Sequence, residues 1–247
     1  MKVTVKDLTR SLQEKLANHC AYLWGASGQI VGKTTPDEIL AHEKTSNAPK
    51  TNAKRVLARV GTMVDAGYDL DKAQFFDCSG LVLDSLNKLG LYIGDTTADG
   101  LFLNGTAITV KNAKEGDLVF LGSDKKKNHV GYVVGGGSVI ECKGRDFGVV
   151  ESSLSEWKYA AHYTWFDDLK ISRKLKIQAD PLTGADVVSL QKALCSHGFP
   201  CAVSGSYTTN TAQAVERFQK AAKLTVLSYG VVAKKTAEAL GITWAKK

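Results

Sequence analysis

The sequence predicts an α+β fold, with helices packed on an antiparallel sheet, followed by a small three-helix module. Three observations carry this expectation. Up to Gly90 the apolar residues recur mostly at helical spacing. From Leu118 to Cys142 they fall in short strand-like runs separated by turn-rich pieces. After Ala179 helical spacing returns, together with an internal repeat. The chain has 247 residues, 44% hydrophobic and 23% charged, which is enough material for one or two cored domains without a disulfide or metal staple.

The elements follow in order. Asp7 to Leu23 reads as a helix with Leu8, Leu12 and Leu16 on one face and Cys20 inside it. Tyr22-Leu-Trp-Gly-Ala-Ser-Gly28 reads as a helix end and loop. Thr35-Pro-Asp-Glu38 is a helix start, with a Thr cap, Pro at the first helical position and acids in the first turn. Val56, Leu57, Val60, Met63 and Val64 continue at helical spacing, and Gly67 is a plausible stop. Asp77 is a good N-cap for a further helix through Leu81, Val82, Ser85 and Leu89. Leu118–Leu121, Val130–Val134 and Ser138–Cys142 read as strands, the last two joined by Gly135-Gly-Gly137.

Ala179-Asp-Pro-Leu-Thr-Gly184 reads as a linker, so the expected domains are residues 1–172 and 180–247. In the second, Val187, Leu190, Gln191 and Leu194 mark one helix. Gly205 and Gly230 are each followed six residues later by Thr-Ala-x-Ala and an aliphatic residue, as if a tight turn fed a helix twice.

Charge and cysteine content narrow the function. The net charge is +7, and from Leu175 onward nine Lys and Arg face four Asp and Glu. That excess suits an anionic polymer: nucleic acid, an anionic membrane surface or a bacterial wall. No apolar run approaches a membrane span. The N-terminal MKVTVKDLTRSLQEKL lacks the apolar core of a secretory signal, so synthesis in the cytoplasm is expected. Five scattered cysteines do not form a disulfide framework.

Among these cysteines, Cys78 stands apart. It falls in the first turn of the helix capped by Asp77, where free N–H groups and the positive dipole end favour a thiolate. The same N–H groups could stabilise an oxyanion. A thiol nucleophile needs a base, and His129 precedes the strand Val130–Val134. With a three-residue turn, Val134 faces Ser138 and Gly131 faces Glu141. His129 then shares a face with Glu141 as a diagonal neighbour, with open space over Gly131 between them. A two-residue turn would put Glu141 on the wrong face. A surface histidine at a strand end is the plainer alternative. Cys195, His197 and Cys201 have unconvincing spacing for zinc, so no metal site is expected.

Read together, these pieces resemble the NlpC/P60 family of papain-like cysteine peptidases. Tyr22-Leu-Trp-Gly25, Asp77-Cys-Ser-Gly-Leu-Val82, Gly116-Asp-Leu-Val-Phe120, His129-Val-Gly-Tyr-Val-Val-Gly135 and Val139-Ile-Glu141 match its motifs in order. The resemblance covers roughly the first domain. It implies Cys78 as nucleophile, His129 as base, Glu141 as orienting residue and the Tyr22 hydroxyl as an oxyanion donor. It also implies Asp77, Ser79 and Trp24 beside the substrate pocket, with no cofactor. Glu141 stands where the family commonly has His, and the stretch from Gly25 to Phe75 is long, as if it formed an extra helical lobe. Gly184-Ala-Asp-Val-Val-Ser-Leu-Gln191 and the two glycine repeats resemble a type 1 peptidoglycan-binding module. Jointly the two resemblances imply an enzyme whose partner is bacterial peptidoglycan, not nucleic acid, without stable membrane insertion. The expected reaction is hydrolysis of an amide in the stem peptide, at D-glutamate and the third residue or at the MurNAc–L-Ala bond. An endolysin acting on the wall after release fits best. An injected toxin and an inactive wall-binding protein are the other classes.

Overall fold

A computed structural model describes residues 3–245; residues 1–2 and 246–247, the outer ends of the two expected domains, lie outside the described residues. In chain order the helices and strands are α1 (Val5–Ala17), β1 (Ala21–Tyr22), β2 (Ser27–Ile30), α2 (Pro36–Glu43), α3 (Pro49–Asp65), β3 (Gln74–Phe76), α4 (Cys78–Lys88), α5 (Ala98–Asn104), β4 (Thr106–Ile108), β5 (Leu118–Gly122), β6 (Lys127–Gly135), β7 (Ser138–Cys142), β8 (Val149–Ser153), β9 (Tyr159–His162), β10 (Lys170–Ile171), α6 (Ala185–Ser196), α7 (Thr209–Ala221), α8 (Lys234–Ala239) and β11 (Thr243–Trp244). The fold is α+β, as expected. Two compact units are present: residues 5–85 with 108–161, and residues 3–4 and 86–107 with 162–245. No described helix is long and apolar enough to cross a membrane.

In the first unit, β9, β5, β6, β7 and β8 lie side by side in that order, antiparallel throughout. One face of this sheet buries Val119, Val133, Val139, Trp157 and Ala160 together. β1, β3 and β2 form a second, smaller sheet. Its core is shared with the helices of the 26–74 stretch: Leu23, Val31, Ile39, Val56, Met63 and Phe75 pack as one cluster. That stretch is a helical lobe, as expected. It begins on the capping box of Thr35 and Glu38, whose side chains each bond the other's backbone N–H. α3 stops where Gly67 takes φ +71.

Three expectations need correction. The first helix ends at Ala17, not Leu23, because His19 turns the chain at φ +53 and the next residues pair as β1. Cys20 therefore lies outside the helix, accepting the Gln74 N–H at 3.3 Å. β6 starts at Lys127, so His129 sits within the strand. The β6–β7 hairpin pairs Gly135, not Val134, with Ser138, which leaves a two-residue turn. The register shifts between Val133 and Gly135, so Val134 is a bulge residue. The bulge adds the residue that the shorter turn removes, and Gly131 still faces Glu141.

In the second unit α6, α7 and α8 surround Val187, Leu190, Leu194, Val215, Phe218 and Leu240, all buried. The glycine repeat has a physical counterpart. The buried Gln191 side chain accepts the Gly205 N–H (2.9 Å) and donates to the Ser206 carbonyl (3.0 Å) and the Thr211 hydroxyl (3.0 Å). Gln219 does the same with the Gly230 N–H (2.9 Å), the Val231 carbonyl (2.8 Å) and the Thr236 hydroxyl (2.8 Å). Each glutamine saturates a buried turn that would otherwise lose its hydrogen bonds to water.

Candidate active site

Cys78 is the first residue of α4, and Asp77 caps that helix. Asp77 Oδ1 accepts the Gly80 N–H at 2.6 Å and the Ser79 hydroxyl at 3.1 Å, while Oδ2 accepts the Gly25 N–H at 3.1 Å. One carboxylate thus fixes both the first turn of α4 and the loop after Trp24. Gly80 permits a close approach there, since a Cβ on it would lie 2.2 Å from the Ala26 carbonyl oxygen. The Cys78 thiol is part-exposed. Cys142, by contrast, is fully buried, and burial pushes its thiol well above the ordinary range.

β6 and β7 bring the remaining groups. His129 Nε2 lies 2.5 Å from Glu141 Oε2. Cys78 stands close enough to the ring to act on its charge. Burial opposes the charged ring, but the neighbouring Cys78 and Glu141 prevail and lift its pKa from 6.5 to about 9. Glu141 is 3% exposed. Burial works against its charge too, yet the His129 bond and the Lys143 ammonium hold it below the usual carboxylate range. Lys143 Nζ stands 3.9 Å from Glu141 Oε1.

The space above Gly131, expected to be open, is filled by Trp157. Its indole stacks on the His129 ring, with ring centres 5.4 Å apart and planes 13° from parallel. A Cβ on Gly131 would lie 2.7 Å from that indole and 2.5 Å from Val139 Cγ1.

Tyr22 and Trp24 flank the site from β1 and the residues after it. Tyr22 is buried; burial first, then the neighbouring Cys78 and Asp77, pushes its phenol up. Trp24 is 42% exposed. Residues 42–45 of the helical lobe hold it: the Trp24 N–H donates to Glu43 Oε1 (3.4 Å), its indole N–H donates to Thr45 Oγ1 (3.1 Å), and His42 Nδ1 lies 3.0 Å from its carbonyl oxygen. The fold therefore brings Cys78, His129, Glu141, Tyr22, Asp77, Ser79 and Trp24 into one unit. Sequence reasoning gave no role in the site to Trp157, Arg145 or Glu43. Glu43 left one signal, an acid at the C-terminal end of its helix, where the dipole disfavours it.

Cys195 and Cys201 are free thiols in contact, the Cys195 sulfur lying 3.5 Å from the Cys201 carbonyl oxygen. His197 Nδ1 faces the Tyr92 carbonyl oxygen at 2.6 Å. Among the described residues no group of three or more His, Cys, Asp or Glu is placed to hold a metal ion.

Two family models match the chain. Residues 66–167 match the model of the NlpC/P60 family, and residues 183–240 match that of the peptidoglycan binding domain. A 68-residue stretch is 37% identical to "Probable endopeptidase p60" of Listeria grayi, covering 28% of this chain and 13% of that protein. A 94-residue stretch is 33% identical to "Peptidoglycan DL-endopeptidase CwlO" of Bacillus licheniformis, covering 37% of this chain and 21% of that protein. The chain thus spans a small part of the curated relatives it matches. Among solved structures, the NlpC/p60 domain of peptidoglycan hydrolase SagA is 30% identical, with 44% of this chain and 97% of that chain covered at a TM-score of 0.31. The chain therefore carries an NlpC/P60 family domain over residues 66–167, followed by a peptidoglycan binding domain over residues 183–240.

Proposed function

We propose that this protein is a cell-wall lytic enzyme of the endolysin type, a cysteine endopeptidase acting on the stem peptides of peptidoglycan. One observation carries the reading. A half-buried cysteine at a helix N-terminus stands beside a histidine whose Nε2 is held by a buried carboxylate.

In this reading the Cys78 proton passes to His129, and the Cys78 sulfur attacks the amide carbonyl carbon, forming a C–S bond. The oxyanion is met by the Cys78 backbone N–H, which has no partner inside its helix, and by the Tyr22 hydroxyl. His129 then protonates the leaving nitrogen as the C–N bond breaks, giving a thioester and a free amine. Water attacks the thioester, His129 takes its proton, and the acid product leaves with Cys78 restored. Glu141 keeps the imidazole oriented and its charged form stable.

The family match and the similarity to a protein named a peptidoglycan DL-endopeptidase favour the bond between D-glutamate and the third stem residue. The second domain would hold the enzyme on the wall and raise its local concentration. The test is to incubate purified peptidoglycan with wild type and with Cys78→Ala, then to identify the fragments by mass spectrometry. Release only by the wild type, with new D-glutamyl carboxyl ends, is expected. Equal release by both proteins would sink the thiol mechanism.

A further inference from the structure

The helical lobe of residues 26–74 supplies none of the groups in the chemistry proposed above. Two of its ion pairs nevertheless converge on one short loop between β7 and β8. Glu43 ends α2 and is 0% exposed. A carboxylate so placed faces the negative end of its helix dipole and has lost its water, so it requires a strong partner. That partner is Arg145. Its Nε donates to Glu43 Oε1 at 2.8 Å and its Nη2 to Oε2 at 2.6 Å. The next loop residue reverses the polarity: Asp146 accepts from Arg55 of α3, at 3.0 Å from Nε and 2.5 Å from Nη2.

The two pairs are not equivalent. Arg55 and Asp146 are both about half exposed, and such a pair contributes little. Glu43 is fully buried and the Arg145 side chain only 13% exposed, so removing the arginine strands the carboxylate's charge. The held guanidinium is also aimed. Its central carbon lies 5.1 Å from the centre of the Tyr22 ring and 6.0 Å from that of the Trp24 ring. A cation in that position pins the plane of an aromatic ring. It also favours negative charge nearby, so it makes the phenol a stronger donor to a developing oxyanion.

We propose that Arg145, oriented by Glu43, is a positioning residue for the Tyr22 hydroxyl, and that this is the role of the helical lobe. The proposal rests on the reading of Tyr22 as an oxyanion donor. A lysine would keep the charge but lose the two-pronged bond to Glu43 and the flat face over the ring.

The test is a double-mutant cycle on solubilised peptidoglycan fragments, with Cys78→Ala as control and circular dichroism as a check on folding. Arg145→Gln is expected to lower kcat about 10-fold with KM within about 2-fold of wild type. Arg145→Lys should recover only part of that loss. In a Tyr22→Phe background, Arg145→Gln should cost less than about 2-fold, because two residues acting as one unit do not add. If Arg145→Gln does not fold, Arg145→Lys in the two backgrounds supplies the same comparison. Equal kcat losses in both backgrounds, a change confined to KM, or an unchanged kcat in Tyr22→Phe would overturn the proposal. With Cys78→Ala inactive, those results sink this proposal alone. Full activity in Cys78→Ala would sink the thiol reading and this proposal with it.

Discussion

The indole of Trp157 stacks on the imidazole of His129 because Gly131, two residues along the same strand, has no side chain to hold it off. The fit is tight enough that one methyl group decides it. Gly131→Ala is expected to destabilise the fold by about 1–3 kcal/mol, a typical range for overpacking, and to disturb His129 through the displaced indole. Urea unfolding and peptidoglycan release, measured together, check this. An unchanged midpoint would mean that Trp157 moves aside at no cost.

Glu141 is held by His129, with Ser152 beside it and Lys143 3.9 Å away. Glu141→Gln keeps the size and one acceptor atom but removes the charge. A loss of about 10- to 100-fold in kcat is expected, since the imidazolium then loses a charge-assisted bond. KM should move little. Wild-type kcat in this variant would assign Glu141 to packing alone.

The pH dependence of stability follows from the same pair. The pKa of His129 in the folded chain is raised from 6.5 to about 9. A raised pKa means that the folded state holds the proton more tightly than the unfolded one. The stabilisation is therefore complete below pH 6.5 and is lost as pH climbs through 9. Urea midpoints taken across that window should fall for wild type and stay flatter for His129→Gln. Parallel curves for the two proteins would contradict the assignment.

In the second unit, Gln219 serves the Gly230 N–H, the Val231 carbonyl and the Thr236 hydroxyl at once. Gln219→Leu fills the space but strands those partners. An unmet buried polar group costs about 1–3 kcal/mol, so this unit should unfold at lower denaturant than in the wild type. Hydrogen exchange at the Gly230 amide gives the local readout, and faster exchange is expected there. Gln191→Leu should act in the same way on the Gly205 amide.

How much was legible in the sequence depended on the range of the interaction. Asp77 and Cys78 were readable because a cap and a helix start lie within four residues of each other. The hairpin partners His129 and Glu141 were readable because strands alternate, although the count ran through a bulge that leaves no local signature. β1 and β3 were missed: two- and three-residue strands are too short to show a period. Arg145 and Glu43 were missed because a pairing across about a hundred residues follows no spacing rule. Trp157 could have been suspected only from Gly131, a glycine in a strand interior that marks a close approach.

The bulge at Val134 gives the hairpin one spare residue. Deleting Val134 would remove the bulge alone: Val133 would still face Val139, Gly131 would still face Glu141, and Glu141 would stay on the His129 side. Drawing Val134 into a regular pair opposite Val139, with the turn kept at two residues, would instead set Glu141 opposite Tyr132 and turn it away from His129. One-residue shortening at this point is therefore expected to leave the site working, while a change that pairs Val134 should silence it without unfolding the sheet.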